Sequence, residues 1–183
     1  MKISSKQLCL ALTTIAFVLC GCAMHAPRTY TAKENDPTLI LKSTGMPMNV
    51  EFAVNSGEVS CENFEHIGIV RDSGRGVLLP WIANMTEKLN SVPTQLHSVV
   101  PAHKQVQVRS YGKWYDSTSK GSCGPLVTTF TPQASSTYLV EFMWEGTARC
   151  ASRVSDITNS LEKKSVPTQF QYCPRSFMSI LLD

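Results

Sequence analysis

Phe130-Thr131-Pro132-Gln133-Ala134-Ser135-Ser136-Thr137-Tyr138-Leu139-Val140-Glu141-Phe142 is the stretch on which the fold turns. An apolar residue and a proline lead into small polar residues suited to a tight turn. A tyrosine then opens a run in which Tyr138, Val140 and Phe142 fall on alternate positions. Period-two alternation marks a half-buried strand, so the stretch reads as strand, corner, strand. A chain that crosses between two sheets leaves a backbone amide or carbonyl without a ladder partner, and a rigid phenol is able to reach it. Tyr138 reads equally well as an ordinary core aromatic.

Working outward, short apolar or alternating runs recur at 38–42, 49–54, 64–70, 77–82, 106–111, 126–131, 138–144 and, more weakly, 150–157. Asp72-Ser73-Gly74-Arg75-Gly76 is a turn signal between two of them. The one helix candidate is 81–89, closed by Pro93, and residues 158–176 are polar with Pro167 and Pro174. Many short strands with little helix predict an all-β fold, a small antiparallel β-sandwich, with a mixed α+β domain as the alternative. Residues 130–142 resemble the tyrosine corner of fibronectin-type and immunoglobulin-like sandwiches, with Ala134-Ser135-Ser136 where those often carry Gly. The resemblance implies an immunoglobulin-like or transthyretin-like arrangement, with the Tyr138 hydroxyl bonded to backbone a few residues upstream. A pentapeptide also recurs, Ser91-Val-Pro-Thr-Gln95 and Ser165-Val-Pro-Thr-Gln169. Similar edge strands or loops in opposite halves of a sandwich would explain it, as would coincidence.

The first residues carry a different message. Lys2 and Lys6 precede an almost unbroken apolar run at 8–19, followed by Cys20 and Gly21. This is the layout of a secretory signal, and the run is short of the roughly 20 residues that a spanning helix needs. Leu19-Cys20-Gly21-Cys22 resembles the lipobox of bacterial prolipoproteins. The resemblance implies cleavage after Gly21, lipidation of Cys22 with acyl chains such as palmitate, and anchoring to a membrane. Cys20 is a poorer acceptor, because Val18 and Leu19 would fill the small-residue positions before it. Ala23, in place of Asp, implies the outer membrane by resemblance to the enterobacterial sorting rule. Residues 1–21 are therefore expected as signal, 22–37 as lipidated N-terminus and flexible tether, and 38–183 as one domain.

Cysteine usage agrees with export. Of seven cysteines, Cys9 and Cys20 leave with the signal and Cys22 is acylated. Cys61, Cys123, Cys150 and Cys173 remain, an even set that reads as two disulfides with three possible connectivities. If the strands at 126–131 and 138–144 are antiparallel neighbours, Cys123 just before one lies near Cys150 just after the other, leaving Cys61 for Cys173. A corner would instead place those strands in different sheets, and the Cys123–Cys150 bridge would then have to cross between them; Cys61–Cys123 with Cys150–Cys173 stays open as the alternative. Without Lys2 and Lys6 the 17 basic side chains fall to 15 against 14 acidic ones, close to neutral. No Lys/Arg run suits a phosphate backbone, so nucleic acid is not an expected partner.

No catalytic set converges in the sequence. The histidines are His25, His66, His97 and His103, and only Glu65-His66 lies near a cysteine, Cys61. No C-x-x-C or H-x-x-x-H spacing suggests metal, and neither a cofactor nor an enzyme activity is expected. The best recognition candidate runs from 109 to 122, read as a Gly/Ser-rich loop leaving a strand. It carries Arg109, Tyr111, Lys113, Trp114 and Tyr115, residue types that dominate interfaces and stack on sugars. Trp114 could alternatively fold back over the sandwich end. The expectation is a non-enzymatic outer-membrane lipoprotein facing the periplasm and binding an envelope protein. The alternative is a periplasmic hydrolase inhibitor or a glycan- or peptidoglycan-binding lipoprotein.

Overall fold

The computed structural model describes residues 30–45, 49–57, 61–71, 92–115, 120–145, 149–159 and 161–173. The signal, Cys22, the expected strand at 77–82 and the expected helix at 81–89 lie outside them. The described residues form ten strands and no helix: β1 Thr38–Thr44, β2 Asn49–Asn55, β3 Glu65–Arg71, β4 Gln95–Val99, β5 Val106–Tyr115, β6 Lys120–Phe130, β7 Thr137–Glu145, β8 Arg149–Asp156, β9 Lys164–Ser165 and β10 Gln169–Tyr172. Two five-stranded sheets result. Sheet A runs β4-β1-β7-β8-β9 and sheet B runs β10-β6-β5-β2-β3. Every pairing is antiparallel except β1 with β7. The fold is a β-sandwich, as the alternating runs predict.

Alternation decides what is inside. In sheet A, Leu39 and Leu41 stand beside Tyr138 and Val140, and Val140 beside Val154. In sheet B, Val50, Phe52 and Val54 line up with Val70, Val106 and Val108 as the inner layer. Among the described residues, Phe52 and Phe142 are the largest fully buried side chains. Each such burial contributes roughly 1.5–3 kcal/mol.

The corner at 130–142 is a crossing between sheets. β6 ends at Phe130 in sheet B and β7 begins at Thr137 in sheet A. The Gln133 backbone N–H donates to the Tyr138 hydroxyl at 2.9 Å. The Tyr138 ring is 3% exposed and packs 5.4 Å from Phe130. The phenol thus serves as acceptor for the amide that the crossing strands, which is the physical need the sequence suggested. Residues 30–37, which the sequence places in the tether, are tied to this corner. Ser135 N–H donates to Asn35 O at 2.7 Å, Thr38 N–H to Ser136 O at 3.0 Å, and Val100 N–H to Pro37 O at 3.2 Å. Within the segment, the Asp36 carboxylate accepts from Lys33 N–H at 2.6 Å and from the Tyr30 hydroxyl at 2.7 Å. Those bonds, the Lys33 amide first, hold the Asp36 carboxyl below the usual range.

Two disulfides close the structure, Cys123–Cys150 and Cys61–Cys173, with Cα–Cα distances of 6.1 and 5.6 Å. Cys123–Cys150 is the pairing expected, reached across the sandwich as the corner requires and not between neighbouring strands. β6 and β7 are not neighbours; the bond joins β6 of sheet B to β8 of sheet A across the sandwich. The flanks are also tied. Arg71 N–H of β3 donates to Pro93 O at 3.0 Å on one side, and the chain between β9 and β10 crosses from sheet A to sheet B on the other. The recurring pentapeptide sits at these two places. Its first copy leads at Gln95 into β4 and its second at Gln169 into β10, both edge strands.

Candidate interaction face

The stretch read as a recognition loop is mostly sheet. β5 continues to Tyr115 and β6 begins at Lys120, with Lys113 opposite Ser122, Trp114 opposite Gly121 and Tyr115 opposite Lys120. Alternation therefore persists past Tyr111, but glycine conceals it. An added Cβ at Gly121 would run into the Trp114 ring, so the indole fills the space that a side chain there would need. Along β5, Val106, Val108, Ser110, Gly112 and Trp114 face inward, and Arg109, Tyr111 and Lys113 face out. Trp114 packs edge-on against Trp144 of the opposite sheet, with centroids 4.8 Å apart. It covers the end of the core beside Cys123 and Cys150. Of the five residues singled out from sequence, Arg109, Tyr111 and Lys113 share an outer face and Trp114 belongs to the core, while the Tyr115 side chain lies outside what the structure describes.

Half of that outer face is covered. Ala53, Asn55, Gln107, Val127 and Thr129 occupy outward positions by register and yet are buried. Residues 61–64 pass over them. Asn55 Nδ2 donates to Glu62 O at 3.2 Å, and the Arg109 guanidinium lies 4.9 Å above the Phe64 ring. Gln171 of β10 donates to Cys61 Sγ at 3.4 Å, and the Cys61–Cys173 bond fixes the strap to the end of β10.

The other half is open. One row across the strands is Arg71, Asn49, Lys113 and Ser122, all exposed. The next holds Ile69, 42% exposed, with Glu51 and Tyr111. Glu51 is met by His66 Nδ1 at 3.3 Å and by Arg109 at 3.7 Å. The Lys113 ammonium lies 5.4 Å from the Tyr111 ring centroid. Sequence reading missed Asn49, Glu51, Ile69 and Arg71, because only strand register joins them to Tyr111 and Lys113.

Elsewhere the chemistry is sparse. A crevice of about 140 Å³ at the tether end is lined by residues that include Tyr30, Val54, Glu65, Ile67 and Val100. It is smaller than the roughly 300–1,000 Å³ of small-molecule pockets. No group of three or more His, Cys, Asp or Glu among the described residues could hold a metal. Cys61 is committed to its disulfide, so the Cys61–His66 pair offers no thiol. His97 is exposed on strand β4, where a loop was expected, and His103 is exposed beyond it. On sheet A the buried Glu141 carboxylate is held by Arg153 at 3.1 Å and Lys163 at 3.9 Å, as structural ion pairs are. Compared with known proteins, the chain matches no family model and no curated relative.

Proposed function

We propose that this chain is the precursor of an outer-membrane lipoprotein whose β-sandwich binds an envelope protein and catalyses nothing. Support for the anchor is the Leu19-Cys20-Gly21-Cys22 motif closing the apolar run at 8–19. Two acyl chains on Cys22 make anchoring stable where one chain is marginal. Support for protein binding is the outer face of β5, where Arg109, Tyr111 and Lys113 are lined up by the pleat of a sheet fixed by two disulfides. A preformed flat face with an aromatic among cations suits a protein surface, since rigid sites lose little freedom on binding. The four cysteines paired in disulfides suit an oxidising compartment such as the periplasm.

The test is capture from detergent-solubilised envelope by the mature lipidated protein, with Tyr111→Ala as the discriminating variant. A specific partner that Tyr111→Ala weakens tenfold or more supports the reading. Capture insensitive to every outer-face substitution, or robust hydrolysis of ester, peptide or glycan substrates by the purified protein, contradicts it.

A further inference from the structure

Only residues 22–29 separate Cys22 from Tyr30, where the chain meets the sandwich beside Val54 and Val100. That stretch spans at most about 29 Å even when fully extended. Lipid on Cys22 would therefore keep the end of the domain that carries Tyr30 close to the bilayer. Two further turns share this end with the corner. His103 N–H donates to Pro132 O at 2.8 Å, which sets residues 101–104 beside it. Ile157 N–H donates to Thr137 O at 2.9 Å and Thr137 N–H to the Thr158 hydroxyl at 3.0 Å, which sets the turn after β8 there too. In that turn, closed by Glu162 N–H on Asn159 O at 3.0 Å, Leu161 is 93% exposed, the most exposed of the large apolar side chains described. A lone exposed leucine is ordinary on a protein surface. This one stands on the end that the anchor brings to the membrane.

We infer that this end of the sandwich rests on the bilayer surface, with the Leu161 side chain seated at the boundary of headgroups and acyl chains. The inference rests on the lipidation of Cys22 proposed above and adds the orientation of the domain. A lipid surface is favoured as occupant because the short tether makes the contact intramolecular, so the modest affinity of one leucine is multiplied by a high effective concentration. Charge at this end is mixed, with Lys33, Lys104 and Lys164 among Glu34, Asp36 and Glu162. The contact is therefore apolar rather than electrostatic. With this end down, the strands stand upright and the outer face of β5 looks sideways along the membrane. Tyr111 is five residues along β5 from Val106, or about 17 Å above the contact, so the partner of that face is met beside the domain at the membrane surface.

The experiment uses the mature protein, its Cys22 assayed for acylation and its native disulfides checked by peptide mapping, in vesicles of phosphatidylethanolamine and phosphatidylglycerol. A fluorophore is attached through Lys104→Cys at this end or through Arg149→Cys at the opposite end, where β8 begins. The quencher is a lipid that bears a nitroxide on its headgroup. Quenching should be strong at the first position and weak at the second, and nearly insensitive to salt. Leu161→Glu, at a position too exposed to disturb folding, should lower the ratio of docked to undocked domain about tenfold and take the quenching at the first position with it. Equal quenching at the two ends, or quenching that Leu161→Glu leaves unchanged, overturns the inference while the anchor stands. Loss of envelope-protein capture in Leu161→Glu with quenching unchanged would assign the leucine to a protein partner and overturns it as well. An unmodified Cys22 thiol would defeat the lipoprotein reading, and this inference with it.

Discussion

Neighbouring residues on β5 should give opposite phenotypes when truncated. Trp114 points inward and meets Trp144 edge-on at 4.8 Å, whereas Tyr111 points outward beneath the Lys113 ammonium. A fully buried Trp→Ala change costs about 3–5 kcal/mol, and the edge-on ring pair accounts for about 0.5–1.5 of that. Trp114 is half-buried, so about 3 kcal/mol is the appropriate figure. A domain of this size loses about 2–4 °C in melting temperature per kcal/mol, so Trp114→Ala should melt about 6–12 °C lower. Tyr111→Ala removes an outward ring whose described contact is the Lys113 cation–π pair, about 0.5–1 kcal/mol, and should melt within about 4 °C of wild type. In partner capture the order should reverse: Tyr111→Ala loses a factor of ten or more, about 1.4 kcal/mol, while refolded Trp114→Ala retains binding. Thermal melts by circular dichroism with binding measured on the same samples decide the matter. Unchanged melting in Trp114→Ala together with lost capture would refute the assignment of the two rings to opposite faces.

Tyr138→Phe should cost about 1–2 kcal/mol in urea unfolding, because the Gln133 amide loses its acceptor while the ring stays in place. A neutral effect would mean that the hydroxyl does not hold the corner. Removing Cys61–Cys173 should cost more than removing Cys123–Cys150, about 5 against about 3.5 kcal/mol in the chain-entropy model for separations of 112 and 27. The first loss should also speed hydrogen exchange in the amides beneath the strap, and unchanged exchange would show that the strap does not depend on its disulfide. Asp36 is held below the usual carboxyl range when folded, chiefly by the Lys33 amide and then by the Tyr30 hydroxyl. Its contribution is therefore present above the unfolded value near 3.9 and is lost as pH falls through the lower folded value. The Lys33 amide resonance should titrate with a midpoint below about 3.9, and Asp36→Asn should abolish that titration; a midpoint at or above the ordinary value would contradict the bonding at the corner.

What could be read in advance was whatever alternation announces. Val50, Phe52 and Val54, or Tyr138, Val140 and Phe142, declare an inner face because each strand has only one face to bury. The corner was legible too, since an unpaired amide at a crossing calls for a group like the Tyr138 phenol. Edge strands were harder. β4, Gln-Leu-His-Ser-Val, turns a single apolar residue, Leu96, toward the core, and β9 and β10 expose polar and aromatic residues alike. A strand with one neighbour needs little apolar pattern, and polar edges discourage unwanted pairing. Gly121 helped to disguise a hairpin as a loop because the volume it lacks is filled by the Trp114 ring. Grouping Asn49, Ile69 and Arg71 with Lys113 required the register of three strands, which no local pattern encodes. The disulfide argument reached the expected partners with neighbouring strands and a bridge across the sandwich both left open, since sequence cannot state which sheet a strand joins.

The proposal depends above all on Cys22, and one measurement addresses it directly. The protein would be expressed with its full signal in a bacterial host, and the N-terminal peptide isolated from the envelope fraction for mass spectrometry. A peptide that begins at Cys22 and carries diacylglyceryl on its thiol, absent from a Cys22→Ser variant that stays uncleaved, is the result predicted. A mature terminus at any other residue, or an unmodified Cys22 thiol, would contradict the reading of this chain as a lipoprotein.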